Sequence, residues 1–342
     1  MTILITGAGG FIGLNLAEQL LARGDDVVAV TLDPLPAAAV AAFARLPGHL
    51  TTRAVDVRDA VRVAEVVAAH RPRALLHAAA LTPGPAAAPE RATAVIDVNV
   101  GGTAAVLRAA RAAGVGRVIL TSSTAVLGDA PFGSEPVTEA TAPAPLSLYG
   151  FSKLAAERLA VQARTADGLD VIRVRLTAIF GPWEHDTGVR DTLSPPLQIA
   201  AAAAAGTPTT IAAGGARDWT YAGDIARALL ALLDAERPAH DLYQLGVGEI
   251  WHPRRLCAAL APRFPGWSWR EAAADEAPTI AYHDALDRIR RSPPAPTRFV
   301  AEFGLLFRPI DAAIADYAAW FAAGQPACPP VPWPANFCPR WP

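Results

Sequence analysis

The stretch TILITGAGGFIGLNLAEQLLARG, residues 2–24, runs from an apolar segment through a glycine-rich turn into a helical pattern. Leu16, Leu20 and Leu21 recur at helical spacing, and Gly24 follows as a stop. Between the two halves, Gly7, Gly10 and Gly13 form G-x-x-G-x-x-G. Gly7 permits a tight turn, Gly10 lets backbone approach a pyrophosphate, and Gly13 lets helix lie close on strand. Phe11 and Ile12 stand at the start of the helix, whose open N–H groups would face the phosphates. Glycine turns between strand and helix are common. At the head of a βαβ unit, this one reads as a dinucleotide site.

Working outward, the same alternation repeats. DDVVAVTLD (25–33), LTTRAVDVRD (50–59), RALLHAAAL (73–81), VGRVILTSSTAVLG (115–128) and DVIRVRLTAIFG (170–181) read as strands. Helices are expected at Ala60–His70, along one long segment Ala92–Ala113, and at Tyr149–Ala166. Strands alternating with helices specify an α/β fold, a doubly wound parallel sheet of Rossmann type. After about Gly181 the pattern loosens, which predicts a smaller C-terminal substrate lobe. The expected division is a nucleotide-binding domain over 1–180 with a return segment at 217–247, and a lobe from 181–216 and 248–325. A Pro/Trp-rich tail follows at 326–342; such a composition builds neither a helix nor a central strand.

Bulk properties exclude several classes. The 342 residues are 52% hydrophobic with a net charge of −2, enough for a large core and without the basic surface that nucleic acid or an acidic membrane attracts. No run of about 18 apolar residues is free of Pro, Gly or charge, so no membrane span is expected, and a cytoplasmic location is. The N-terminus reads as structure rather than as a signal peptide. Cys257, Cys328 and Cys338 are too few for a disulfide framework and lie far from paired histidines, so no metal is expected.

An acid about 20 residues beyond the glycines would hold the adenosine ribose. Asp33 is the candidate, although Thr31 competes for the strand-end position and a turn before Pro34 also explains an Asp there. No Arg or Lys stands beside it to take a 2′-phosphate, which favours NAD and leaves NADP possible. Asp56 and Val57 lie where an adenine edge could be read; a helix cap explains Asp56 equally well.

The chain has 30 Lys and Arg residues, and only Lys153 is a lysine. It stands four residues after Tyr149, one helical turn, so both side chains share a face. Tyrosine, with a pKa near ~10, is a poor base at neutral pH. A neighbouring ammonium favours its phenolate. Such a tyrosine takes a proton from a secondary alcohol while hydride leaves for a nicotinamide, or returns it in reduction. Ser122, Ser123 and Thr124 at the end of the preceding strand offer hydroxyls to the same substrate oxygen.

The segments TGAGGFIG, VDVRD, LLHAAA, DVNVGGT, TSSTAVLGD, YGFSK, RLTAIFGP and RDWTYAGDIARAL occur in this order over roughly residues 2–325. In them the chain resembles the extended short-chain dehydrogenase/reductases, the group of nucleotide-sugar epimerases and dehydratases. The resemblance implies Tyr149 as acid/base, Lys153 as its cation and Ser123 as the catalytic hydroxyl. It also implies a cofactor site along Ala78, Ala79, Ala80 and Asn99, and a homodimer through the two long helices. Thr82 and Thr124 would then face the substrate.

Three departures bear on the substrate. Thr124 and Ala125 stand where the group's dehydratases carry an Asp-Glu pair, which disfavours dehydration. Ala178 replaces an Asn that commonly touches the diphosphate. The late segment EAPTIAYHD lacks a phosphate-binding Arg. Arg217 of RDWTYAGD could face substrate phosphates or form a structural pair with Asp218. In PWEHDTGVRD, His185 and Arg190 could bind a carboxylate or hydroxyls, or the loop could be plain surface. Three readings follow: an epimerase-type enzyme on a sugar-like substrate; a net dehydrogenase or reductase of a small polyhydroxy acid, sugar or ketone; and a non-catalytic dinucleotide sensor, which would not need the Tyr149, Lys153 and Ser123 set.

Overall fold

Eleven strands are found among the residues that the computed structural model describes, which are 1–84, 88–189, 192–282, 286, 288–304 and 307–324. They are β1 (Thr2–Thr6), β2 (Asp26–Thr31), β3 (Leu50–Ala54), β4 (Ala74–His77), β5 (Arg117–Ser123), β6 (Val171–Leu176), β7 (Ile179–Phe180), β8 (Thr209–Ile211), β9 (Thr220–Tyr221), β10 (Leu242–Leu245) and β11 (Trp269–Glu271). The helices are α1 (Phe11–Ala22), α2 (Ala37–Phe43), α3 (Ala60–His70), α4 (Ala92–Ile96), α5 (Thr103–Ala112), α6 (Leu148–Asp167), α7 (Pro195–Ala205), α8 (Ala222–Asp234), α9 (Arg254–Leu260), α10 (Thr297–Phe303) and α11 (Ile310–Ala322).

Seven strands form one sheet in the order β10-β6-β5-β4-β1-β2-β3, with every pairing parallel. The near-continuous apolar strands follow from this, because both faces are covered. Ile3 and Ile5 point to one side, into a core shared with Leu14 and Leu20 of α1 and Leu229 of α8. Leu4 points to the other, against Val63 of α3, Val106 of α5 and Ala156 of α6. The order reverses between β1 and β4, which opens a crevice at their carboxyl ends.

Three local features differ from the sequence reading. The long helix expected over Ala92–Ala113 is interrupted: α4 passes through a π-helical stretch, Asp97–Gly102, before α5. The strand read over 170–181 is two, because β7 leaves the main sheet and pairs with β9. Helix α2, in an alanine-rich segment without a polar period, had no helical signature to announce it. Beyond β6, α8 returns to pack on α1, and β10 joins the sheet beside β6. The pair β8/β11 stands apart from the main sheet, and helix α7 packs on α9 and on β8. Phe180 joins this region to the sheet by edge-on contacts with Tyr221, Trp251 and Tyr317, at centroid distances of 5.7, 5.1 and 5.8 Å. No helix of the described residues is long and apolar enough to cross a membrane. The tail 326–342 lies outside the described residues.

Candidate active site

A cavity of about 860 Å³ opens at the carboxyl ends of β1, β4, β5 and β6. Its floor is the glycine turn. Gly7 has φ +70°, and a Cβ there would fall 2.6 Å from the Ala79 nitrogen. Only glycine fits both the backbone angle and the approach. Gly10 caps α1 without a side chain, so the first N–H groups of the helix, at Phe11, Ile12 and Gly13, stay open on the cavity wall. This uncapped cradle fits a pyrophosphate. Ala78, Ala80 and Thr82 line the same wall.

Helix α6 brings the polar residues. Ser147 caps it, its hydroxyl accepting from the Gly150 N–H at 3.0 Å. A Cβ on Gly150 would sit 2.6 Å from the Ala125 carbonyl oxygen. The missing side chain therefore lets the first turn of α6 press on the chain just past Ser123. As a result Tyr149, Lys153, Ser123 and Thr124 all line one cavity. The two serines differ. Ser122 donates to the Glu157 carboxylate at 2.6 Å, whereas the Ser123 oxygen accepts from the Ala125 N–H at 3.1 Å and keeps its proton for a ligand.

Lys153 is 4% exposed. Burial pulls its ammonium down to about 8, and the Glu157 carboxylate one turn on opposes that fall. His77, also buried, is pushed down to about 3 by burial and by the Lys153 charge. Its hydrogen bonds agree with a neutral ring. Thr103 donates its hydroxyl proton to the Asn99 carbonyl at 2.6 Å, so it accepts from His77 Nε2 at 3.1 Å, and His77 Nδ1 accepts from Thr6 at 2.6 Å.

Several expected cofactor contacts stand behind the wall rather than on it. Asn99, in the π-helical stretch, is 1% exposed. Its amide clamps Leu81 from both sides, at 2.8 and 2.9 Å, and donates to Ser152 at 2.9 Å. Ser152 in turn donates to the Tyr149 carbonyl at 2.8 Å. Asn99 thus fixes the loop after β4 against α6, and π-bulges are often used for such placements. Ala79 lies against Gly7, and Val57 fills the space beside Gly102. The Asp56 carboxylate is paired with Arg58 at 2.5 Å, which holds it below its ordinary range. Asp33 is exposed just past β2, where the Thr31 hydroxyl donates to its carbonyl at 2.9 Å.

On the far side, His185 lines the cavity with Nδ1 donating to the Trp183 carbonyl at 3.0 Å. Arg190 lies outside the described residues. Arg217 lines the cavity, and Asp218 pairs with Arg290 at 3.2 Å rather than with its neighbour. The late segment without an arginine is followed closely by Arg288 and Arg290, and both reach the cavity around Phe132, whose ring centroid lies 3.8 and 5.0 Å from their guanidinium carbons. No spacing rule pointed to them. Glu157 and Arg175 were also missed, although extending the Tyr149–Lys153 step by one more turn lands on Glu157.

The model of the NAD dependent epimerase/dehydratase family matches residues 3–246. The 2'-dehydrokanamycin reductase of Streptomyces kanamyceticus is 30% identical over 308 residues, 88% of this chain and 71% of that protein. Sterol demethylase protein B of Methylococcus capsulatus is 35% identical over 187 residues, 54% of this chain and 53% of that protein. An uncharacterized protein of Sinorhizobium fredii is 36% identical over 180 residues, 53% of this chain and 41% of that protein. The chain thus spans about half the length, or less, of these last two relatives. Among solved structures, the Thermus thermophilus UDP-glucose 4-epimerase complex with NAD superposes with a TM-score of 0.76 at 26% identity, over 94% of this chain and 99% of that one.

Proposed function

The chain belongs to the NAD-dependent epimerase/dehydratase family, and we propose that it oxidises and re-reduces a secondary alcohol of a sugar-like substrate, as nucleotide-sugar epimerases do. The observation that carries this reading is the convergence of Tyr149, Lys153 and Ser123 on the cavity floored by the Gly7–Gly13 turn. The open N–H groups of α1 would hold the pyrophosphate of NAD. NAD supplies the hydride acceptor, and the donor on return. Ser123, with its proton unspent, donates to the substrate oxygen and orients it. Tyr149 takes the hydroxyl proton, and gives it back to the same oxygen once the keto group has turned. Lys153 keeps its charge near the phenolate and so favours that form. Thr82, Thr124, His185 and Arg217 would contact the substrate. With Nδ1 spent on Trp183, a neutral His185 offers Nε2 as an acceptor, which suits a hydroxyl. Asp33 and Asp56 would serve the adenosine end, beyond the cavity wall. Thr124 and Ala125 bring no carboxyl near Ser123, which argues against expulsion of water.

A second reading is a net reductase. It is favoured by the likeness to 2'-dehydrokanamycin reductase over most of the chain and by Ala178 on the cavity wall, which brings no side-chain amide to a diphosphate. Denaturing the desalted protein and identifying any released nucleotide separates the two. Retained NAD, with turnover of a nucleotide sugar in the absence of added cofactor, supports the epimerase. An empty protein that oxidises added NADH with a keto sugar replaces it with the reductase. The expected pairing of two copies through α4–α5 and α6 is supported by the exposed Ile96 and Phe151 on those helices and is checked by light scattering.

A further inference from the structure

Tyr149, Lys153 and Glu157 follow one another at four-residue steps on α6. Glu157 is 1% exposed and Arg175, across from it on β6, is 2% exposed. Arg175 donates to both Glu157 oxygens at 2.9 Å, and Ser122 donates to one of them at 2.6 Å. This carboxylate is therefore tied down by three hydrogen bonds, in a buried place, one helical turn from the lysine of the cavity. Of the other titratable groups facing Lys153, only Tyr149, one turn before it on α6 and on the same cavity, can become negative. His77, at the end of β4, is neutral, and Arg175 is a second cation. The sides given by β5, the π-helical stretch and α5 carry Ser122, Ser123, Asn99 and Thr103.

We propose that Glu157 is a positioning residue for the chemistry of this site: it is the buried counter-charge that keeps Lys153 an ammonium, while Ser122 and Arg175 hold Glu157 in place. Arg175 and Glu157 cancel, and Lys153 leaves the cluster with a single positive charge. Replacing Glu157 with a neutral residue leaves two cations, Lys153 and Arg175, in a poorly solvated space. The proton that leaves most easily is that of Lys153, because a guanidinium does not release its own. The tie to Ser122 has a second consequence. It commits the proton of that serine and leaves Ser123, the next residue, as the hydroxyl offered to the cavity. The role of Lys153 in turnover rests on the function proposed above; the control of its charge by Glu157 does not.

The test uses the single lysine. The protein is labelled with lysine carrying ¹³C at Cε, so that one resonance reports Lys153, and this resonance is followed with pH in wild type, in Glu157→Gln and in the double variant Glu157→Gln/Arg175→Met. The single variant is expected to raise the acid dissociation constant of Lys153 about tenfold or more, the effect of losing a close opposite charge. The double variant, which leaves no unpaired guanidinium, guards against a failure to fold. It is expected to fall between wild type and the single variant, because the second cation is removed together with the carboxylate. Coincident titrations in every variant that folds overturn the proposal. The titration needs neither substrate nor turnover, so a wrong functional reading would leave it intact. Once a substrate is in hand, the alkaline limb of the kcat profile should move down with the Lys153 titration. A uniform loss of kcat at all pH values, with the resonance unmoved, would mean a merely structural role.

Discussion

Lys153, at the carboxyl end of the sheet, is buried differently from the cations at the amino end. At the amino end every buried or half-buried cation has close partners. Arg117 pairs with Asp170 at 2.8 Å and donates to the carbonyls of Leu232, Ala235 and Glu236, where α8 ends. Asp234, the last residue of α8, receives both Arg23 and Arg73. These cations meet a helix C-terminus, where the backbone dipole welcomes them. At the carboxyl end, Lys153 is buried in the second turn of α6, and its counter-charge is one helical turn away on the same helix. A buried pair in contact is costly to break, because removing one partner leaves the other charge uncompensated. A buried ammonium held at a distance costs stability and leaves an uncommitted charge where a reacting group can use it.

Substitutions at the two ends should separate accordingly. The largest effect is expected from Tyr149→Phe: turnover falls about 10²–10⁴-fold, the range for losing a general acid–base, while folding and NAD binding persist. Near wild-type turnover in steady-state kinetics would break the contrast at its functional end. Asp234→Ala, at the other end, should cost about 3 kcal/mol of stability because two guanidiniums lose their partner. Denaturant melts should register that loss with kcat unchanged.

The pH dependence sharpens the same contrast. Below pH 8 folded and unfolded chains both carry the Lys153 ammonium, and the folded one bears the cost of burying it. From about 8 up to the ordinary value of 10.5 the folded chain has released that proton and the unfolded chain has not. The stability due to this residue therefore rises with pH across that window, by about 3 kcal/mol at most, while activity that needs the ammonium falls. Lys153→Met should lack that rise when its stability–pH curve is subtracted from wild type. The smallest of the four effects is Gly7→Ala. A side chain at φ +70°, 2.6 Å from the Ala79 nitrogen, should cost about 1–3 kcal/mol, read as weaker NAD binding by titration calorimetry and a lower Tm.

The sheet was legible because each of its features is local. A buried parallel strand shows as an unbroken apolar run, a crossing helix as a 3.6-residue period, and the phosphate turn as three glycines. The shared face of Tyr149 and Lys153 was legible for the same reason, since one helical turn separates them. The interruption of the helix at Asp97–Gly102 was not, because an inserted backbone residue leaves the side-chain pattern almost unchanged. The arginines around Phe132 were not either, since they arrive in an irregular segment of the lobe, where no period ties position to direction.

Sequence alone determined the doubly wound α/β class, the dinucleotide turn at Gly7–Gly13 and the Tyr149/Lys153 pair on one helical face. Tertiary structure decided what each buried polar group faces: Ser122 spent on Glu157 and Ser123 left for a ligand, Asn99 turned to Leu81 and Ser152, Asp56 to Arg58, and Arg288 and Arg290 brought to the cavity. Spacing along the chain governs neighbours within one element. Partners across elements depend on how helices and strands stack, and on the rule that a buried donor or acceptor must find a partner wherever the fold places one.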